Sequence, residues 1–310
     1  MFLHSYAKLN LYLEVLDKRK DRYHNIKSLF ERIDLCDKII LKSHPPKKIK
    51  VVCNAPGIPK DSSKNLAYRS ARLLQRSLNV DKGAYIKIIK RIPVAAGLGG
   101  GSSNAAAVLI GLNKLWRLNL SQKRLLGFAK EIGCDVPFFI YNTSFAKAAG
   151  RGDIIKPLKA LNKIKLWHIL AVPQNKASTA RIYKEWDRLR IKLTPRFRSG
   201  SMVSGVEPLT KPKYNVRILN LALRKNDLVL LGKVLFNSLE QLSTQLYPRI
   251  GCMRLELMRL GLKSILMSGS GPAVFGIVSS KKEAVSLCRQ LKAGLGKENN
   301  SCQIFVTCTR

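Results

Sequence analysis

The sequence predicts an α+β protein of two domains, and three observations carry that reading. Its 310 residues, 46% of them hydrophobic, suffice for one large or two ordinary cores. Strand-like alternation dominates residues 5–55, and helical spacing follows it. The second half runs strand, helices, strand, strand, helix, strand, the order of a split-βαβ, ferredoxin-like unit.

Residues 5–16 place Leu9, Leu11, Leu13 and Val15 on one face of a strand and Lys8, Asn10 and Tyr12 on the other. Lys8 and Asn10 are therefore either edge decoration or part of a site. A basic turn, Asp17 to Arg22, leads to Tyr23 and His24. Those two flat rings suit stacking on a nucleobase, or they are a half-buried tyrosine and a surface histidine. Residues 31–55 continue as strands interrupted by His44-Pro45-Pro46. The stretch Asp61 to Asn65 then caps a helix through Leu66, Ala67, Ala71, Leu73 and Leu74.

The strand Tyr85 to Ile92 feeds the run Pro93-Val94-Ala95-Ala96-Gly97-Leu98-Gly99-Gly100-Gly101-Ser102-Ser103-Asn104, which organises the rest. Four glycines in five positions remove the Cβ atoms that would keep an anion from the backbone. Behind them Ala105, Val108, Leu109, Leu112, Leu115 and Trp116 keep helical spacing, with Ser102 or Ser103 as N-cap. Glycine loop followed by helix start is a phosphate site in the making. No lysine precedes Ser102, so it is not a P-loop, and the glycine spacing is not that of a dinucleotide fold.

A shorter helix, Leu125 to Ile132, stops at Gly133, and Asp135 follows just before the apolar run Val136 to Ile140, read as a strand. A buried carboxylate needs partners, either in a site or among local N–H groups. In the second half, Leu166 to Val172 is a strand, and Thr179 is a candidate N-cap for a helix carrying Tyr183. Residues 190–215, with Pro195, Pro208, Pro212, Gly200 and Gly205, read as a loose loop. Helices are expected over about 216–224 and 227–246. Met267 to Gly276 reads as a hairpin around Gly269-Ser270-Gly271, followed by a helix near 281–295 and the strand Cys302 to Thr307.

Composition removes several classes of function. No run reaches the length of a membrane span, and the N-terminus has no signal-peptide pattern, so a cytoplasmic protein without membrane partners is expected. The seven cysteines are scattered and form no Cys-x-x-Cys pair, which suggests neither a disulfide framework nor a zinc site. The formal charge of +37 is spread evenly: half of the 56 Lys and Arg lie before residue 156. An even field attracts anions in general, whereas a specific nucleic-acid partner calls for a stripe or tail.

The motif Pro93-x-x-x-Gly97-Leu98-Gly99-Gly100-Gly101-Ser102-Ser103-Asn104-Ala105-Ala106 resembles the phosphate-binding motif of the GHMP kinases. Three glycines followed by Ser-Ser-Asn-Ala-Ala resemble most the branch that phosphorylates the 2-hydroxyl of 4-diphosphocytidyl-2-C-methyl-D-erythritol, on the non-mevalonate route to isoprenoids. The resemblance continues through Ala7-Lys8-Leu9-Asn10, Tyr23-His24, Asn65-Leu66, Gly133-x-Asp135-Val136-Pro137, Ala146 to Asp153 and Met267 to Gly276. It implies a ribosomal S5 domain 2-like N-terminal domain over 1–157 that binds ATP. It also implies a ferredoxin-like, substrate-binding C-terminal domain over 158–310, whose last strand packs back on the first.

The same resemblance assigns roles. Asp135 is the base, and Lys8 stands beside it. Pro93, Val94, Ala95, Ala96, Gly97, Leu98, Gly99, Gly100, Gly101, Ser102 and Ser103 bind ATP, with Gly97 to Ser103 holding its phosphates, and Asn65 helps to form the adenine pocket. Asn10, Tyr23, His24, Thr179 and Tyr183 bind the cytidyl substrate. Mg²⁺ is expected between the β and γ phosphates, with Ser103 a candidate ligand. The chain is expected to act as a monomer or homodimer. Four positions depart from the pattern: Arg22 for glycine, Cys134 for alanine, Asp153 for glutamate and Ser238 for aspartate. Another GHMP kinase, of homoserine or phosphomevalonate type, is the alternative within the family, and a basic RNA-binding module is the alternative outside it.

Overall fold

Two long strands form the spine of the first sheet. β1 (Phe2–Lys18) and β2 (His24–His44) pair antiparallel, with Lys8 opposite Arg32 and Asn10 opposite Phe30. The computed structural model describes residues 1–55, 62–174, 177–193, 212–295 and 302–310, with the backbone alone at 62 and 191–193. Most of the proline-bearing loop expected over 190–215 lies outside these residues.

β3 (Ile49–Cys53) and β4 (Gly83–Ile89) extend the sheet beyond β2, while β5 (Phe145–Ala149) and β6 (Ile154–Pro157) branch from it. Four helices cover one face: α1 (Leu66–Ser77), α2 (Gly100–Leu115), α3 (Gln122–Ile132) and α4 (Val136–Ile140). Their apolar stripes meet the sheet in a core built around Leu41, Ile86, Leu109, Leu112, Trp116 and Phe128. Asn65 caps α1 as its position suggested, its Oδ1 accepting the Ala67 N–H at 2.9 Å.

Two local expectations are corrected here. Neither Ser102 nor Ser103 caps α2; the helix starts at Gly100 with Gly99 before it, because the left-handed turn at Gly99 (φ +66°) brings the chain into helix early. The run after Asp135 is a short helix instead of a strand. Pro137 sits in its first turn, where a fixed φ and a missing N–H cost nothing.

The second sheet holds β7 (Trp167–Pro173), β9 (Ile265–Met267), β10 (Val274–Val278) and β11 (Cys302–Cys308) in the order β11-β7-β10-β9, antiparallel throughout. Numbered by appearance that is 4-1-3-2, the ferredoxin-like arrangement read from the sequence. Around it lie α5 (Thr179–Leu193), α6 (Val216–Lys225), α7 (Leu228–Val234), α8 (Glu240–Leu246), α9 (Pro248–Arg259) and α10 (Lys281–Gly294).

The single helix expected over 227–246 is broken into α7 and α8. Between them β8 (Phe236–Asn237) extends and pairs in parallel with Tyr12 and Leu13 of β1, tying the second half to the spine. The sheets also meet at β2. Thr309 donates to Glu31 at 2.5 Å, and Asp34 accepts the Cys308 N–H at 3.0 Å. His168 Nε2 lies 3.1 Å from Glu31 Oε2 with both side chains fully buried, near enough to attract but out of line for a hydrogen bond.

Candidate active site

The glycine run becomes a cradle because two of its glycines are approached by other elements. Gly97 has φ +76°, and a Cβ there would sit 2.2 Å from the Ser268 carbonyl oxygen. At Gly99 a Cβ would come within about 3 Å of the Lys8 stem and the Phe139 ring. Past Gly99, α2 begins without a side-chain cap, so its first N–H groups are left for a guest. They front a cavity of about 310 Å³ lined by the run from Pro93 to Ser102 and by Asn65, Leu66, Lys64 and Lys90. Pro93, Val94, Ala95, Ala96 and Leu98 are thus part of its wall.

Behind the cradle Asp37 is fully buried and saturated. Its Oδ1 accepts the N–H groups of Arg91 and Ile92 at 2.8 and 2.9 Å, and its Oδ2 accepts from Lys90 Nζ at 2.5 Å and Asn104 Nδ2 at 2.8 Å. Four donors on one carboxylate offset the cost of burying it and fix the entry to the loop. Ser103 belongs to this network. Its hydroxyl accepts from Ser5 at 2.8 Å and is buried, so the side chain at the cavity wall is that of Ser102.

A second cavity, of about 200 Å³, shares Gly97 and Gly99 with the first. Lys8, Asn10, Asp135, Thr179, Tyr183 and Ser270 face it. Lys8 Nζ lies 3.4 Å from Asp135 Oδ2, donates to Asn10 Oδ1 at 2.5 Å, and stands 4.8 Å above the Phe30 ring. Asn10 is held in turn by Ser28, which accepts its Nδ2 at 2.9 Å, and by Ser268, which accepts its backbone N–H at 3.2 Å. The Asp135 side chain remains one-third exposed (32%), open to an incoming group. Lys8 and Asn10, which sequence left between decoration and site, are buried and face this cavity, whereas Tyr12 on the same face packs on Phe236 and donates to Glu14.

Arg151 also lines this cavity, and its guanidinium lies 5.2 Å from the ring centre of the half-exposed Tyr23. His24 is buried, stacks on Tyr183 at 5.1 Å with 28° between the planes, and places Nε2 2.6 Å from Asp187 Oδ1. Burial holds the Tyr183 hydroxyl well above the usual phenol range, so it stays a neutral donor. Thr179 opens α5 instead of capping it: Ser178 accepts the Arg181 N–H, and Thr179 Oγ1 meets Ser270 Oγ at 2.7 Å. Of the residues selected from sequence, all but Tyr23, His24 and Ser103 line one of the two cavities; Tyr23 and His24 reach the second only through Arg151 and Tyr183, which line it.

The turn from Met267 to Ala273 closes the site from the second sheet. Ser268 donates to the Gly97 carbonyl at 3.2 Å. Asn237 donates to the carbonyls of Met267 and Gly269 at 2.8 and 2.7 Å, and Glu240 accepts the Met267 N–H at 2.8 Å. Sequence reasoning missed Asp37, Lys90, Arg151 and the work of Asn237 and Glu240. Asp37 carried a signal as an acid inside the run from Leu35 to Leu41, and Arg151 lay within the stretch Ala146 to Asp153 matched to the family without being given a role.

Three departures from the family pattern also find their places. Arg22 holds the left-handed turn (φ +69°) where the family has glycine. Asp153 accepts from the Arg151 N–H at 3.1 Å and lies 3.2 Å from Arg151 Nη2, restraining that side chain. The Ser238 hydroxyl accepts the Val15 N–H at 3.0 Å and so secures β8 on β1.

A glycine cradle at a helix start, a Lys–Asp pair beside it and a ferredoxin-like second sheet define a small-molecule kinase of the GHMP type. The family description "GHMP kinases N terminal domain" matches residues 65–143, and "GHMP kinases C terminal" matches residues 219–297. The chain belongs to the GHMP kinase family. It is 38% identical over 275 residues to 4-diphosphocytidyl-2-C-methyl-D-erythritol kinase of Shouchella clausii, covering 89% of this chain and 84% of that one. To the kinase of the same name from Gloeobacter violaceus it is 36% identical, covering 97% and 93%. A crystal structure of 4-(cytidine 5'-diphospho)-2C-methyl-D-erythritol kinase superposes over the whole of both chains with a TM-score of 0.73 and 29% identity. Homoserine kinase from Cytophaga hutchinsonii shares the fold at a TM-score of 0.72 and 19% identity.

Proposed function

We propose that the protein transfers the γ-phosphoryl group of ATP to the 2-hydroxyl of 4-diphosphocytidyl-2-C-methyl-D-erythritol. The observation that carries this reading is the wall common to the two cavities. Gly97 and Gly99 line both, so a triphosphate in the first would present its terminal group to whatever fills the second. The names of the relatives supply the acceptor. Tyr183 in the second cavity and the half-exposed Tyr23 beside Arg151 supply flat surfaces for a pyrimidine, with His24 packed behind Tyr183.

The roles follow from position. The free N–H groups at the start of α2 and the loop backbone bind phosphate, and Asn65 with Leu66 lies where the base of the nucleotide would rest. Asp135 accepts the proton of the attacking hydroxyl. Lys8, held by Asn10 and Phe30, orients that carboxylate and stabilises the oxygen as charge develops on it. Because phosphoryl transfer proceeds through a loose transition state, placement and cationic charge matter more than early deprotonation.

Among the described residues no three His, Cys, Asp or Glu side chains converge, and the Ser103 hydroxyl is committed to Ser5. These residues therefore offer Mg²⁺ no preformed site. The ion would arrive on the nucleotide, where it neutralises phosphate charge. We assign nucleotide binding to residues 1–157 and the acceptor chiefly to residues 158–310, with Lys8, Asn10, Tyr23, His24 and Asp135 contributed by the first part. No helix among the described residues is long and apolar enough to cross a membrane.

An ADP-release assay across a panel of alcohols tests the reading. Turnover is expected with the cytidyl substrate and not with homoserine or phosphomevalonate. Equal turnover with a non-cytidyl alcohol, or none with the cytidyl one, would overturn it.

A further inference from the structure

Thr179, Tyr183 and Asp187 follow at i, i+4 and i+8 on α5, so they form one stripe on one helix face. The first two line the acceptor cavity, and the third stands one turn further on, behind His24. Asp187 Oδ1 lies 2.6 Å from His24 Nε2, and its Oδ2 accepts from Lys18 Nζ at 2.5 Å. Burial alone would raise the Asp187 carboxyl; the hydrogen bonds from Lys18 and His24 outweigh it and hold the group below its usual range. An ionised carboxylate only accepts, so the hydrogen between the two residues belongs to His24 Nε2.

A histidine ring can flip about its Cβ–Cγ bond and can carry its proton on either nitrogen. Here both freedoms are removed. Asp187 holds the edge of the ring, and Tyr183 covers its face at 5.1 Å. We propose that Asp187 is a positioning residue for the cytidyl end of the substrate, fixing His24 in one orientation and one tautomer. The proposal rests on the reading that the acceptor carries cytidine. In the tautomer that donates from Nε2, Nδ1 carries the lone pair and can accept, which matches an amino group such as cytosine bears and uracil lacks.

The test compares the wild-type protein with Asp187→Ala and Asp187→Asn. The chain has four histidines, so the His24 imidazole can be assigned in ¹⁵N NMR spectra. The wild type should show the Nε2–H form and Asp187→Ala should lose it. Removing a charged partner from a largely buried ring should raise KM for the cytidyl substrate about tenfold or more. Over the same change KM for ATP and kcat should stay within about twofold, since neither the cradle nor Asp135 touches α5 at this turn. Asp187→Asn, which still accepts but carries no charge, should fall between.

If Asp187→Ala keeps its cytidyl KM within twofold of wild type, or keeps the Nε2–H signature, the proposal fails. It also fails if kcat and both KM values worsen in step, as loss of a merely structural contact would make them. A wild-type enzyme that releases no ADP with the cytidyl substrate overturns the functional reading instead, and the two failures are thereby told apart.

Discussion

Lys8 and Asp135 come from places 127 residues apart in sequence and meet at 3.4 Å. Asp135→Asn keeps the shape and loses the basicity, and Lys8→Met keeps much of the buried stem and loses the charge. Each should lower kcat by at least about 100-fold while the melting temperature moves little. ADP release and a thermal melt, run on the same preparations, check both halves of that statement.

Arg22 makes the opposite kind of prediction. A non-glycine residue in the left-handed region costs roughly 1–2 kcal/mol. Arg22→Gly should therefore raise stability by about 1 kcal/mol in urea titration, less the chain entropy that glycine adds. Turnover should not change, because the positive φ belongs to the turn and not to Tyr23. The sequence made Arg22 visible as an oddity. Its φ became legible only when Arg22 N–H was seen donating back to the Arg19 carbonyl, at 3.2 Å, within a tight turn.

Elements add two contrasting glycines. Gly97→Ala would drive a methyl group to 2.2 Å from the Ser268 carbonyl oxygen in a backbone region alanine avoids. The cradle must then shift, and binding of a fluorescent ATP analogue should weaken at least about tenfold. Gly127 lies exposed in the middle of α3 with nothing within 4 Å of a Cβ, so Gly127→Ala should stabilise by about 0.5–1 kcal/mol.

The same scale shows where sequence reading stopped. Long periodic stretches such as β1 and α2 were legible because a dozen residues repeat one pattern. Five apolar residues after Asp135 could not separate strand from helix, and Pro137 tipped them to helix. The break between α7 and α8 was hidden for another reason. Phe236 and Asn237 extend because an edge of β1, more than 200 residues earlier, is free to pair with them, and no local pattern records that. Asp37 is similar: its partners Lys90, Arg91, Ile92 and Asn104 lie 53–67 residues downstream.

At the scale of the molecule, charge sets how substrates arrive. A net +37 draws a nucleotide and a diphosphate ester alike, so both KM values should rise as salt goes from about 0.05 to 0.5 M, as the Debye length shrinks from roughly 14 to 4 Å. The neutral melting temperature should depend on salt far less than KM does. Asp187 gives the acid limb its sign. Its carboxyl is held below the ordinary value of 3.8, so its contribution is complete above that pH and is lost as pH falls through the lower, folded value. Acid denaturation of Asp187→Asn should accordingly lack that increment.

The contact between the Ser268 hydroxyl and the Gly97 carbonyl makes the glycine cradle, the proposed nucleotide chamber, a clasp fastened by both sheets. Neither sheet can part from the other without spilling the guest, so occupancy and cohesion are thermodynamically linked. Saturating ADP at 100 times its dissociation constant should add about 2.7 kcal/mol to unfolding. In a calorimeter the two sheets would then melt as a single, later peak.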